Sequence, residues 1–164
     1  RTQSMGVTQQ LPENEKYIFD RSYLLDRLAV MMGGRAAEVL VFDTATSGAG
    51  NDLQQATQLA RRMVLEWGMS GRFEHMALGS KGEQVFLGEE LGKPREYSES
   101  TAQEVDNEVE SLLNEAYTKA EKLLSDRREV MDRLAEKLMA LDEVPGEEVY
   151  ALLSQEREAS WPEK

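Results

Sequence analysis

Asp20-Arg21-Ser22-Tyr23-Leu24-Leu25-Asp26-Arg27-Leu28-Ala29-Val30-Met31-Met32-Gly33-Gly34-Arg35-Ala36-Ala37-Glu38-Val39-Leu40-Val41 is the stretch on which the fold turns. Leu24, Leu25, Leu28, Met31 and Met32 recur at helical spacing, and Asp20 is an N-cap residue type placed just ahead of them. Gly33-Gly34 is a possible stop, because glycine favours the end of a helix. The apolar rhythm nevertheless resumes in phase at Ala36, Val39 and Leu40, which favours one helix to about Val41. The two glycines then cost about 1 kcal/mol each in propensity and allow another backbone to come close.

Outward from this helix the same period persists. A loop over Asp43–Gly50 leads to a second helix from about Asn51 to Glu66, with Leu53, Ala56, Leu59, Ala60, Met63 and Val64 as its stripe and Gly68 closing it. Ser100 with Gln103 forms a capping box for a long third helix bearing Val105, Val109, Leu112, Ala116, Ala120 and Leu123. Asp126 with Glu129 caps a fourth, bearing Val130, Leu134, Leu138 and Leu141. The short connection near Ser125 predicts an antiparallel hairpin between these two, with Val109, Leu112, Ala116, Leu134 and Leu138 inside. After Pro145-Gly146, a short helix over Glu147–Leu153 closes the domain, and residues 156–164 are expected to fray.

Sheet signals are sparse. Residues 5–11 alternate weakly up to Pro12, and Gln84–Leu87 is a second short candidate inside a glycine-rich irregular stretch at 70–98. The expected class is therefore all-α: a helical array with a long antiparallel helical hairpin and at most one or two short strands. With 164 residues there is room for one domain with a real core, taken as 1–155.

Composition narrows the chemistry. A net charge of −12 argues against nucleic acid, since neutralising phosphates needs clustered Lys and Arg. No cysteine is present, which removes disulfides and thiolate metal sites. No run approaches the ~20 apolar residues that cross a bilayer. There is no G-x-S-x-G elbow and no G-x-x-x-x-G-K-[ST] loop. His75 is the sole histidine, in the glycine-rich stretch beside Phe73 and Glu74. A zinc site wants paired histidines at i and i+4, so a structural or surface role is expected for it.

Two carboxylates remain. Asp52 lies in the first turn of the second helix, with Ala56, Leu59 and Met63 following at four, seven and eleven residues, on or beside the buried stripe. Such a group either caps the helix or binds a cation. Glu38 either pairs with Arg35 on its own helix or serves a polar site. Arg35 either neutralises a carboxylate or holds a loop.

The ordered set Gly33-Gly34-Arg35-Ala36-Ala37-Glu38, Ser47-Gly48-Ala49-Gly50-Asn51-Asp52-Leu53, Ala56-Thr57, Ala60-Arg61-Arg62-Met63-Val64 and Trp67-Gly68-Met69 closely resembles the proteolytic domain of the FtsH family of membrane-anchored AAA zinc proteases. Further matches are Gly6-Val7-Thr8 with Pro12, Tyr23 to Leu28, Phe86-Leu87-Gly88, Tyr97-Ser98-Glu99, Ala116-Tyr117 and Gly146-Glu147-Glu148, so the resemblance spans roughly residues 5–153. It implies a zinc endopeptidase in which an H-E-x-x-H helix gives two ligands and the general base, and Asp52 is the third zinc ligand. Glu38 falls on the glutamate of the family's G-G-R-x-A-E pattern near that site. The resemblance also implies ATP and magnesium at an AAA module, a homo-hexamer, unfolded or membrane protein substrates, and a place on the cytoplasmic face of a membrane. This chain holds no H-E-x-x-H and does not begin with Met, so it reads as the C-terminal portion of such a domain, soluble, inactive and without bound cofactor by itself. The alternative is a non-catalytic helical interaction module derived from the same fold.

Overall fold

The computed structural model describes residues 18–78 and 97–159. Among them the regular elements are helices: α1 (Arg21–Phe42), a 3-10 turn (Ser47–Ala49), α2 (Gly50–Leu65), α3 (Glu99–Asp126), α4 (Arg128–Leu141) and α5 (Gly146–Ala159). The class is all-α, as the periodicity implied. The strand candidates at 5–11 and Gln84–Leu87 lie outside the described residues.

Helix α1 is continuous through both glycines. Asp20 caps it by accepting the Tyr23 amide at 2.8 Å, and Asp43, in the left-handed region at φ 51°, ends it. The close backbone approach expected at the glycines is not there among the described residues. A side chain at Gly33 would meet nothing, and one at Gly34 would meet only Asp52 Oδ2, at 4.0 Å. Gly34 leaves room for a carboxylate instead of a main chain.

The core is built by α1, α2 and α3. Leu24, Leu25, Leu28, Ala29, Met32 and Ala36 of α1 close on Ala56, Ala60, Met63 and Val64 of α2 and on Val105, Val109, Leu112, Ala116 and Ala120 of α3. Alanine at so many of these positions lets the helix axes approach closely. Direction follows from the surface pairs. Arg21 reaches Glu115 at 3.2 Å, Asp26 pairs with Lys119, and Arg128, just past α3, donates to the Leu40 carbonyl at 3.3 Å. Helices α1 and α3 therefore run in the same sense. Helix α2 returns between them, since its first turn faces Gly34 while Arg21 donates to the Met69 carbonyl just beyond its end.

This arrangement corrects the expected hairpin. Val109, Leu112 and Ala116 are buried, but against α1 and α2. On α4, Leu138 is 43% exposed and Leu134 only half-buried; Val130 alone is buried. The connection is a single residue, Arg127, and α4 pairs with α5 through Lys137 and Glu148. A long apolar stripe is shared among whichever neighbours it meets, and sequence adjacency did not choose them.

Three boundaries also shift. Helix α3 is capped by Ser98, whose hydroxyl accepts the Thr101 amide at 3.2 Å, and not by Ser100. The earlier serine puts Glu99 in the first turn, where a negative charge complements the helix dipole. Asp126 does not cap α4; it is the last residue of α3 and pairs with Lys122 at 2.7 Å. Helix α5 begins at Gly146 and runs on past Leu153 to Ala159. Gly68 does close α2: its φ is +59°, and a Cβ there would sit 2.9 Å from the Phe73 carbonyl oxygen.

Candidate functional site

The two carboxylates singled out from the sequence occupy one end of the α1–α2 pair. Helix α2 starts one turn beyond the end of α1, and its first turn returns alongside Gly34. Glu38 follows Gly34 by one turn of α1, on the same face. The residues between α1 and α2 fold back over that end, so the turn that launches α2 is braced against α1 itself.

Glu38 makes the brace. Its Oε1 accepts the Thr46 hydroxyl at 2.6 Å and its Oε2 accepts the Thr46 amide at 3.2 Å. Arg35 adds a third leg, donating Nη1 to Glu38 Oε2 at 3.3 Å and Nη2 to the Thr46 carbonyl at 2.9 Å. Both sequence readings of this pair therefore hold at once: Glu38 pairs with Arg35 on its own helix, and Arg35 holds a loop. The Thr46 hydroxyl, then the Thr46 amide, hold the Glu38 carboxyl below its ordinary value of 4.5; partial burial opposes this and the Arg35 charge assists.

Thr46 is the residue the sequence reading passed over. Its hydroxyl also accepts the Gly48 amide at 3.1 Å, capping the 3-10 turn Ser47–Ala49 that runs straight into α2. Gly48 leaves room beside it, because a Cβ would stand a tight 3.2 Å from both Glu38 Oε1 and Thr46 Oγ1. The visible signal was a threonine two residues before a glycine, a pattern that favours a side-chain-to-backbone turn.

Asp52 is presented by this turn. It lies in the first turn of α2 and is exposed, at the rim of the α1–α2 seam where the buried stripe has not yet begun. It does not cap the helix: the N-cap is Ala49, with no side-chain bond. Among the described residues no donor reaches its carboxylate. Asp52 thus places a carboxyl group at the positive end of a helix, beside Gly34 and without a donor among the described residues.

His75 is exposed, in the turn after α2, apart from these residues. Among the described residues no three His, Asp or Glu side chains gather as a metal cluster would need. Asp52 fits as one ligand of a carboxylate-accepting metal and cannot hold one alone, since catalytic zinc takes three protein ligands. Among the described residues no helix is long and apolar enough to cross a membrane.

Comparison with known proteins agrees with the motifs. Residues 1–152 match Peptidase family M41. The chain is 51% identical over 154 residues to the ATP-dependent zinc metalloprotease FtsH 2 of Salinibacter ruber, covering 94% of this chain and 22% of that protein. It is 50% identical over 139 residues to the ATP-dependent zinc metalloprotease FtsH of Nitrosococcus oceani, covering 85% of this chain and 22% of that one. The FtsH 4 protein of Sphaerobacter thermophilus is 48% identical over 153 residues, 93% of this chain and 23% of its own length. The chain thus spans less than a quarter of these relatives. With a match that runs through α1, α2, α3 and α4 and takes in both carboxylates, the chain belongs to peptidase family M41.

Proposed function

We propose that this chain is the C-terminal portion of the peptidase domain, residues 1–155, of an ATP-dependent zinc metalloendopeptidase, and that Asp52 is the third protein ligand to its zinc. The observation that carries the ligand reading is the Asp52 carboxylate itself: exposed, at a helix N-terminus, with no donor on it among the described residues. A carboxylate left open in this way is ready for a cation that the rest of the protein brings. The remaining ligands come from an H-E-x-x-H helix elsewhere in the longer protein, as the family resemblance implies.

Zinc, when bound, lowers the pKa of its water and polarises the scissile carbonyl. What this chain contributes is placement. Asp52 holds one coordination position, α2 carries it, and the Glu38–Thr46–Arg35 contacts hold the start of α2 against α1. The chain alone lacks two ligands and the general base, so peptide hydrolysis is a property of the longer protein. There the reading extends to ATP and magnesium at an AAA module, a homo-hexameric chamber, anchoring with the protease on the cytoplasmic face of a membrane, and unfolded or membrane proteins as substrates.

Casein cleavage tests the reading. The longer protein containing this chain should degrade unfolded casein with ATP and zinc and stop when the metal is chelated. The 164-residue chain should leave casein intact with or without zinc. Chelator-sensitive cleavage by the pure 164-residue chain, or chelator-insensitive cleavage by the longer protein, contradicts it.

A further inference from the structure

We propose that Thr46 is a positioning residue for Asp52: its hydroxyl clamps the turn between α1 and α2 and so fixes where the first turn of α2 presents the Asp52 carboxylate. The inference rests on the reading of Asp52 as a metal ligand and gives the Thr46 hydroxyl a part in placing it. Zinc ligands are held in place by outer contacts as much as by their own bonds. Asp52 has no such contact among the described residues, so its position is set by its backbone. That backbone is set by what precedes it.

The clamp is a hydroxyl acting twice. The Gly48 amide can only donate, so Thr46 Oγ1 accepts from it at 3.1 Å and its own proton is left for Glu38 Oε1, 2.6 Å away. One side chain thereby links α1 to the 3-10 turn, and the 3-10 turn continues into Gly50, Asn51 and Asp52 without a break. Arg35 seals the same residue from its carbonyl side at 2.9 Å. Gly48 eases the fit, since a Cβ there would lie 3.2 Å from both Glu38 Oε1 and Thr46 Oγ1 and would press the clamp apart by a few tenths of an ångström. The hydroxyl is required for both bonds. Serine retains both, and valine, of nearly the same shape, retains neither.

The test compares Thr46→Val with Thr46→Ser. In the 164-residue chain, amide exchange at Gly48 and Gly50 should quicken about tenfold in Thr46→Val, because the bond that closes the turn is gone. Amides of Val105–Ala116 in α3 should keep their rates, and Thr46→Ser should restore the turn. In the longer protease, zinc affinity measured by chelator competition should fall roughly 10-fold in Thr46→Val, up to the loss that removal of a direct outer contact to a ligand brings, and recover in Thr46→Ser. Gly48→Ala approaches the same clamp from its other side and should weaken zinc in the same direction. Unchanged exchange in Thr46→Val overturns the clamp, whatever Asp52 does. Faster exchange with unchanged zinc affinity overturns its positioning role. An Asp52→Asn protease that still binds zinc at full affinity removes the ligand reading itself, and the positioning role with it; one that loses zinc while Thr46→Val keeps it overturns the positioning role alone.

Discussion

At the scale of the residue, the informative contrast is between two carboxylates on one end of a helix pair. Glu38 accepts three hydrogen bonds and has a lowered pKa; Asp52 has no donor among the described residues. For Glu38 the sign of the pH dependence follows from its environment. Its folded pKa lies below the ordinary 4.5, so it contributes stability above that value, and this is lost as pH falls through the lower folded value. The charge that faces it is Arg35, on the same helix. Glu38→Gln should therefore melt earlier than the parent near neutral pH, and the two should converge on acidification below the ordinary glutamate range. Equal differences in melting temperature at both ends of a pH series would show that the carboxylate's charge is not what holds the turn. The same contrast marks what a sequence discloses about a site. Motif spacing singled out Asp52 and Glu38, and the structure puts both at one end of the α1–α2 pair. That Asp52 is exposed, and is not a cap, depends on where α2 begins relative to α1, and an intervening 3-10 turn decided that. Thr46 left only a faint signal, a threonine two residues before a glycine, because its bond to Glu38 reaches eight residues back to another helix.

At the scale of the element, the helices with strong period were legible and their partners were not. Asp20, the run through Gly33-Gly34 and the stripe of α2 all read correctly, because local spacing and capping act within a few residues. The partner of α3 is a non-local choice. Its stripe was assigned to α4 because the connection is short, yet the residues buried with it include Leu24, Leu28 and Met32 of α1, and α4 buries only Val130. A pair of truncations separates the two arrangements. Leu112→Ala removes a buried side chain and should cost about 2–5 kcal/mol. Leu138→Ala, at a position 43% exposed, should cost less than about 0.5 kcal/mol. Denaturant melts measure both. Comparable losses at the two positions would mean that α4 does pack on α3 as a hairpin.

At the scale of the whole molecule, a three-helix core carries one end where the chain is braced and where, among the described residues, the Asp52 carboxylate has no donor. On the proposed reading the other zinc ligands come from a longer protein, and this chain spans less than a quarter of the relatives it matches. In the 164-residue chain, Asp52→Asn should shift stability by less than about 1 kcal/mol, the loss of a favourable helix-dipole interaction, because among the described residues the side chain has no hydrogen bond or ion pair to lose. In the longer protease the same change should be severe. Zinc content per protomer after exhaustive dialysis is the measurement that reaches the central claim most directly. The parent protease should retain its zinc, and the Asp52→Asn protease should lose it together with casein cleavage. Full zinc content and undiminished cleavage in Asp52→Asn would show that this open carboxylate is not a ligand.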